Sequence, residues 1–323
     1  MSPLAMKLKI NPIAKLLSCS NPAIEYFTHR DILDEEVGSV TDLWQLPPVL
    51  KILKKQEENG SWKYPSKIRK NLRSREDYDQ FETYKTLGIL VEKYGLNRDH
   101  NQIQKAAEYL FSCQTPEGDF RGIYGNQYAT TYSPAIMELL IKAGYETDKR
   151  IKKGFGWLIS MRQEDGGWII PFRTSDMNLK EALTANEPNS PDRTRPFSHL
   201  VTGMVLRAFA AHPKYRESEK AKKAAKLLSS RFFQSDKYPD RKDKKYWKRV
   251  SYPFLFTDII SALDSLSFLG FSTKNPHIQE GLDFLKERQN DEGLFDLHIV
   301  RGGDKDLKYW ICLAICRLFK RYG

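Results

Sequence analysis

QTPEGDF, from Gln114 to Phe120, has counterparts in QEENGSW from Gln56 to Trp62 and QNDEGLF from Gln289 to Phe295, and a variant, MRQEDGGW, ends at Trp168. The shared phrase is a glutamine, a glycine four residues on and an aromatic two after that, closing a helix-like stretch and opening a loop. A phrase returning at the end of successive segments marks a repeated unit, and repetition governs the reading of everything local. Counted through Gln56, Gln114, Gln163 and Gln289, the starts lie 58, 49 and 126 residues apart, so the last gap has room for two units. The decayed copy is expected at Phe233 to Tyr238, FQSDKY, which keeps glutamine and aromatic but not glycine. Units of about 50 to 60 residues are longer than tetratricopeptide or ankyrin repeats and suit pairs of long helices.

Apolar residues at three and four spacing predict helices near 22–34, 42–57, 81–95, 99–113, 128–143, 147–161, 197–211, 216–233, 255–270, 275–288 and 306–321, with almost no support for strands. One alternating set ends at the phrase and keeps a charged face, as in IQKAAEYLFSCQ and IQEGLDFLKERQ. The other set is apolar nearly all round, as in TYSPAIMELLIKAG and SHLVTGMVLRAFAA. A helix apolar on most faces is enclosed and one with a polar stripe meets water, which makes an inner and an outer ring. Six inner helices and five outer ones result, and the segment from Leu4 to Leu17 supplies the missing outer helix. The expected architecture is an all-α, α/α toroid of six hairpins, one domain over residues 1–323, with residues 1–20 closing the ring.

The chain of 323 residues is 40% hydrophobic and 29% charged, ordinary globular material. No apolar run approaches the roughly 18 residues of a membrane span. Lys7, Lys9 and Lys15 interrupt the apolar residues of the N-terminal segment, unlike the core of a secretion signal, so a cytoplasmic protein is expected. Cys19, Cys113, Cys312 and Cys316 form no metal-ligand doublet, and the last two share one face of a helix as apolar packing. The net charge of +11 concentrates in two places. Lys63 to Arg75 holds six basic residues, including Arg69, Lys70 and Arg73, and no acid; Lys237 to Arg249 holds seven against two acids.

The repeated phrase in a six-hairpin layout resembles the squalene-hopene cyclase and protein prenyltransferase β-subunit superfamily over nearly the whole chain. NPAIEYFTHRDIL also resembles the opening of prokaryotic cyclase-like proteins. In that superfamily such phrases are structural ties, which assigns Gln56, Trp62, Gln114, Phe120, Trp168, Gln289 and Phe295 to stability rather than chemistry. The resemblance does not extend to the chemical motifs. A DxDD cluster for alkene protonation and a DDxxD metal site are both missing from the sequence. Of the zinc ligands that the prenyltransferases use, only Asp258 has a counterpart in context. Ile260 stands in the place of the cysteine, and Tyr309 or Trp310 about where the histidine would be. No metal is expected, and Mg²⁺ enters only with a diphosphate substrate.

In a toroid the loops after the phrases lead into the N-termini of inner helices, so both basic stretches, with Lys248 and Arg249, are expected around one mouth that helix dipoles already make favourable for anions. Tyr84, Tyr128, Tyr132, Phe254, Phe256 and Trp310 gather at inner-helix starts, where they serve either ring packing or an aromatic-walled cavity able to stabilise a carbocation. Asp258, in PFLFTDIISALDSL, is the candidate proton donor, and its plain alternative is a capping carboxylate. His199, in RPFSHLVTGM, is the candidate base or hydrogen-bond partner, with a structural histidine as its alternative. Glu82, Glu25 and Asp306 are weaker candidates. The expected partner is a hydrophobic or anionic small molecule, an isoprenoid bearing a diphosphate, acted on by an atypical cyclase or transferase. Alternatives are a non-catalytic toroid that binds a lipid or a partner and a carbohydrate-active α/α barrel. The charge allows peripheral contact with an anionic membrane, and nucleic acid has no motif behind it.

Overall fold

A computed structural model describes residues 8–68, 74–122, 124–175, 177–300 and 303–323. The N-terminal residues 1–7 and, in the first basic stretch, Arg69, Lys70 and Arg73 lie outside the described residues. Helices follow in outer–inner pairs: α1 (Ile13–Leu17) and α2 (Pro22–Thr28), α3 (Pro47–Leu53) and α4 (Arg75–Tyr94), α5 (Asn101–Ser112) and α6 (Tyr132–Leu140). After α7 (Lys149–Ser160), a short α8 (Leu179–Thr184) interrupts the long loop before α9 (His199–Ala211). The chain then runs through α10 (Glu219–Ser229), α11 (Ile259–Phe268), α12 (Pro276–Glu287) and α13 (Leu307–Arg321).

The inner helices pack in the order α4, α6, α9, α11, α13, α2 and back to α4, a closed ring. Outside it, α3 and α5 pack on α4, α7 on α6, α10 on α9 and α11, α12 on α11, and α1 on α2 and α13. Burial follows the two sequence patterns. In α9 every residue from His199 to Ala210 is buried, whereas α5 buries only Ile103, Ala106, Ala107, Leu110 and Phe111. The only strands among the described residues are two parallel two-residue segments, β1 (Arg249–Val250) and β2 (His298–Ile299), which join the loops entering α11 and α13.

Three expected elements differ: the outer helix read over Leu4 to Leu17 is helical among the described residues only in α1, with 8–12 outside any helix. The helix read over 42–57 is a 3-10 turn, Val40–Gln45, followed by α3, because Leu46 precedes Pro47 and takes the extended backbone that proline imposes on its predecessor. The helix α4 begins earlier than expected, at Arg75, because Ser74 and Asp77 form a reciprocal capping box.

The repeated phrase proves to be a tie between neighbouring units. Gln56 Nε2 donates to Gly60 O at 2.9 Å in its own turn and to Gln102 O at 2.8 Å in the next outer helix. Gln114 repeats this with Gly118 O and Arg150 O, at 2.8 and 2.9 Å. The glycine is required by proximity: Gly60 has φ +88°, and a Cβ there would lie 2.2 Å from Lys105 O. The aromatic's backbone N–H is taken by a hydroxyl of the following inner helix, Thr83 for Trp62, Ser133 for Phe120 and Thr202 for Trp168. Gln289 closes the circle, donating from Nε2 to Ile10 O at 2.7 Å while Ile10 N–H donates to its Oε1 at 3.0 Å.

The decayed copy is organised differently from FQSDKY. Gln234 Nε2 turns back to Ser230 O, and the buried aromatic of this unit is Trp247, whose Nε1 donates to Gln234 O at 2.9 Å. An insertion separates glutamine and aromatic by 13 residues, which hides the pair from a fixed-spacing search.

Candidate functional site: a cavity inside the ring

One stripe of α4 points inward. Tyr84, Gly88 and Glu92, four apart, lie on one helix face, joined by Ile89 and Lys93, and they line a cavity of about 510 Å³. Leu139 of α6 and Arg207 of α9 continue the wall. Two loops, 251–255 before α11 and 303–306 before α13, supply much of the remainder, with Asn21 beside α2 and Pro48 and Ile52 of α3. Gly88 lets α4 and α6 approach closely, since a Cβ there would come within 3.3 Å of Leu139 Cδ1.

The 251–255 loop is held inside the ring by named bonds. Tyr252 Oη donates to Glu92 O at 3.2 Å, accepts from Arg317 Nη1 at 3.2 Å, and its ring stacks on Trp310 with centroids 5.9 Å apart. Burial pushes the Tyr252 hydroxyl up to about 12, so it stays a neutral donor. Arg207 Nη2 donates to Phe254 O at 2.8 Å. These contacts present Tyr252, Pro253 and Phe254 to the cavity opposite Tyr84 and Ile89.

Polar groups on the wall are nearly all paired. Arg207 meets Glu138 at 2.5 Å, Lys142 bridges Glu138 and Glu92, and Lys93 meets Asp304 at 2.6 Å. Burial alone would raise the Glu138 carboxyl, but the charges of Arg207 and Lys142 outweigh it and hold the group below its usual range. Lys93 is pulled down by burial although Asp304 opposes the shift. Lys85, Lys93, Lys305 and Arg207 face Glu92, Asp304 and Asp306 on the wall. With the ion-pair partners Glu82, Glu138 and Lys142 included, each sign is represented five times among the described residues.

Of the residues singled out in sequence, Tyr84 and Phe254 are on the wall. Trp310 lies one layer behind, under Tyr252, with Lys93 Nζ 5.6 Å from its ring centre. Tyr132 touches Tyr84 edge-on at 6.2 Å in a cluster with Phe81 and Tyr124, away from this cavity. Phe256 lies beneath the Arg241 guanidinium, 4.2 Å from ring centre to Cζ. Tyr128 faces outward instead, packing on Trp157 of α7 and donating to Glu117 at 2.7 Å.

Asp258 is 1% exposed and is the N-cap of α11. Its Oδ1 accepts from Ser261 N–H at 2.8 Å, and burial pushes the carboxyl up to about 7 against those hydrogen bonds. His199 lies against Trp247, centroids 4.7 Å apart, with Nδ1 3.5 Å from Asp236. That carboxylate is already engaged by Ser198 Oγ and Leu200 N–H, and burial lowers His199 to about 4. Glu82 pairs with Lys85 behind the wall, and Asp306 accepts from Asn21 Nδ2 at 2.8 Å near the cavity mouth.

The basic stretches stand apart from this cavity's wall, although Arg241 of the second lies over Phe256. No described basic residue of either stretch is on the cavity wall. Lys248 sits over Phe233 and Phe284 on the outer surface, 5.9 and 5.4 Å from their centres, where cation–π attraction holds its stem away from the ring. Arg249 is tied into β1 and covers Tyr246 at 5.0 Å. Among the described residues, no three His, Cys, Asp or Glu side chains converge on a point that could hold a metal.

Arg207, Glu138, Glu92 and Tyr252 escaped the sequence reading. A signal existed for the first two, since each is a charged residue within an otherwise apolar inner helix. Unpaired charges do not survive in such a setting.

The squalene-hopene cyclase C-terminal domain pattern matches residues 82–176 and 135–298. The chain therefore belongs to that family. It is 28% identical over 134 residues to lanosterol synthase erg7A of Aspergillus fumigatus, a stretch amounting to 39% of this chain and 15% of that relative's length. Among solved structures, the type II terpene cyclase MstE from Scytonema superposes with a TM-score of 0.47 at 14% identity, covering 96% of this chain and 99% of the other. A polysaccharide lyase does so with 0.46 at 13%, covering 91% and 89%.

Proposed function

We propose that this protein binds an isoprenoid-type apolar molecule inside the ring. The observation that carries the reading is the cavity of about 510 Å³ walled by Tyr84, Ile89, Leu139, Tyr252, Pro253 and Phe254, within the 300–1,000 Å³ range of small-molecule sites and lined as such sites are. Family membership supports the same ligand class. A largely apolar wall suits a terpenoid and not a sugar, which needs polar groups along its length. A net charge of +11 suits delivery of such a ligand from an anionic membrane surface.

Turnover is a separate matter. An acid that protonates an alkene must touch it. Burial raises the Asp258 carboxyl to about 7, but its Oδ1 caps α11 by accepting from Ser261 N–H and it is not among the residues of this wall, so we read the protein first as a binder. Mg²⁺ has a part only if a diphosphate-bearing ligand is found.

The reading is tested by titrating farnesol, geranylgeraniol and squalene into purified protein and extracting each mixture for mass spectrometry. Binding of at least one, abolished in a folded Ile89→Trp variant that fills the cavity, is the expected result. If none of the three binds, the cavity has another occupant and the proposal fails. A new compound in the extract would extend the reading to catalysis.

A further inference from the structure

We propose that the Tyr252 side chain is the stop against which the hydrocarbon end of the ligand rests, so that this residue sets the length of isoprenoid chain the ring accepts. The inference rests on the cavity reading above and adds its selectivity for size.

A second recess faces the cavity from the other end of the inner helices. The cavity meets α2 and α13 where they begin, at Asn21, Asp306 and Leu307. The second recess, of about 350 Å³, meets the same two helices where they end, at Phe27, at Arg30 and Asp31 in the turn that continues α2, and at Arg317. The helix α4 runs past both: Tyr84 and Gly88 line the first space, Gly95 and Leu96 the second, and Glu92 borders each. The two spaces therefore approach one another at the level of Glu92.

Tyr252 stands at that level. It belongs to the wall of the cavity, and its Oη donates to Glu92 O and accepts from Arg317 Nη1, both at 3.2 Å. The phenol thus reaches from the cavity wall to a side chain that borders the second recess. Its neighbours fix it there. Trp310 stacks on the ring at 5.9 Å, Phe254 meets it edge-on at 5.6 Å, and Arg317 is itself anchored by Nε to Asp31 Oδ2 at 2.8 Å. A side chain packed and bonded in this way cannot swing aside without giving up those contacts.

Polarity orients the ligand along this axis. Gly303, Asp304 and Lys305 at the mouth are exposed, so a hydroxyl placed there keeps its water, whereas burying it without a partner is unfavourable. The hydrocarbon end is left to run inward past Tyr84, Ile89 and Leu139 to Tyr252. Beyond the phenol stand the ion pairs Arg317–Asp31 and Lys142–Glu92, which offer a growing chain no apolar surface.

Geraniol, farnesol, geranylgeraniol and geranylfarnesol form a series in which each alcohol is one isoprene unit longer than the last. By isothermal titration, wild-type affinity is expected to rise with length to one member and to fall at the next. Tyr252→Ala removes a phenol, somewhat larger than an isoprene unit, so the optimum should move up by about one member, and that longer alcohol should gain about tenfold or more. Tyr252→Phe keeps the ring and should keep the wild-type optimum. Because Tyr252→Ala could fold poorly, a second measurement uses the wild type alone: the alcohol of optimal length, carrying a diazirine at its hydrocarbon end, is irradiated while bound. Cross-links at Glu92, Leu139 or Tyr252 are the expected result. Cross-links anywhere else overturn the inference, at residues 303–307 because the chain then lies the other way round, and at Arg30, Asp31 or Asn97 because Tyr252 is then no barrier. A folded Tyr252→Ala variant with an unmoved optimum, or a wild type whose affinity never falls along the series, overturns it too. Each of these results leaves the cavity reading standing. If none of the four alcohols binds, it is the cavity reading that fails, and the inference falls with it.

Discussion

Arg207 of α9 and Glu138 of α6 form an ion pair whose side chains are 3% and 2% exposed, with Nε 2.7 Å from Oε2, joining two adjacent inner helices at the depth of the cavity. Neither charge could be buried without the other, and Lys142 adds a second contact to Glu138 at 2.8 Å. The pair is therefore a structural bolt, and its Arg207 half also borders the cavity.

Its two halves are not equivalent. Glu138→Leu leaves Arg207 buried and unpaired and should cost about 3–5 kcal/mol in guanidinium unfolding. Arg207→Met leaves Glu138 with Lys142 and should cost less. The double variant Glu138→Leu with Arg207→Met should be more stable than Glu138→Leu alone. A double variant that simply adds the two losses would show that the coupling is weak.

Gln289 joins the last repeat to the first described segment by two hydrogen bonds with Ile10 and braces its own turn by a third, to Gly293 O at 3.0 Å. At about 1 kcal/mol each, Gln289→Ala should lower the unfolding free energy by roughly 2–4 kcal/mol. It should also release the segment before α1 to limited proteolysis at a concentration of protease that spares the wild type. Gln114→Ala loses bonds of the same kind between α5 and α7, and should lower stability without exposing the N-terminal segment.

The ring was legible because each unit repeats one local problem at one spacing. Gly60 and Gly118 both take a left-handed turn against the backbone of the next outer helix, at Lys105 and Lys153, and only glycine fits there. Charged and all-apolar helices alternate for an equally local reason, exposure to water on one side. The cavity wall was less legible. Tyr84 could be found from its place on an inner helix, but Tyr252 and Pro253 reach the centre on a loop held by Glu92, Arg317 and Arg207, partners distant in sequence and without periodicity. The directions of the side chains in the basic stretches were not legible either. A loop that enters the ring at one end can still turn its lysines outward, as Lys248 does over Phe233 and Phe284.

Trp247 offers a direct test of the reassigned fourth unit. It is 1% exposed, packs on Phe232 at 5.2 Å and His199 at 4.7 Å, and carries the indole bond to Gln234 O. Trp247→Ala should cost about 3–5 kcal/mol, as large aromatic truncations in cores do. Tyr238→Phe removes only the hydroxyl donated to Pro196 O, and should cost about 1 kcal/mol. Comparable losses at the two positions would return the aromatic's role to Tyr238.

Asp258 and His199 make opposite contributions to stability against pH. Burial raises the Asp258 carboxyl to about 7, so the folded protein holds a proton that the unfolded chain gives up near 3.8, and stability falls as pH rises toward 7. Burial lowers His199 to about 4 from 6.5, so the unfolded chain takes up a proton that the folded protein refuses, and stability falls as pH drops below 6.5. His100 and His212, also lowered by burial, act in the same direction as His199. In the wild type these effects largely offset one another between pH 5 and pH 8. Asp258→Asn keeps a side-chain oxygen to cap α11 and should expose the histidine effect, with stability rising by about 2 kcal/mol from pH 5 to pH 8. His199→Phe keeps the ring against Trp247 and should expose the carboxyl effect, with stability falling by about 3 kcal/mol over the same range. Denaturant unfolding of the three proteins at both pH values decides the matter, and parallel curves for all three would mean that neither group changes its affinity for protons on folding.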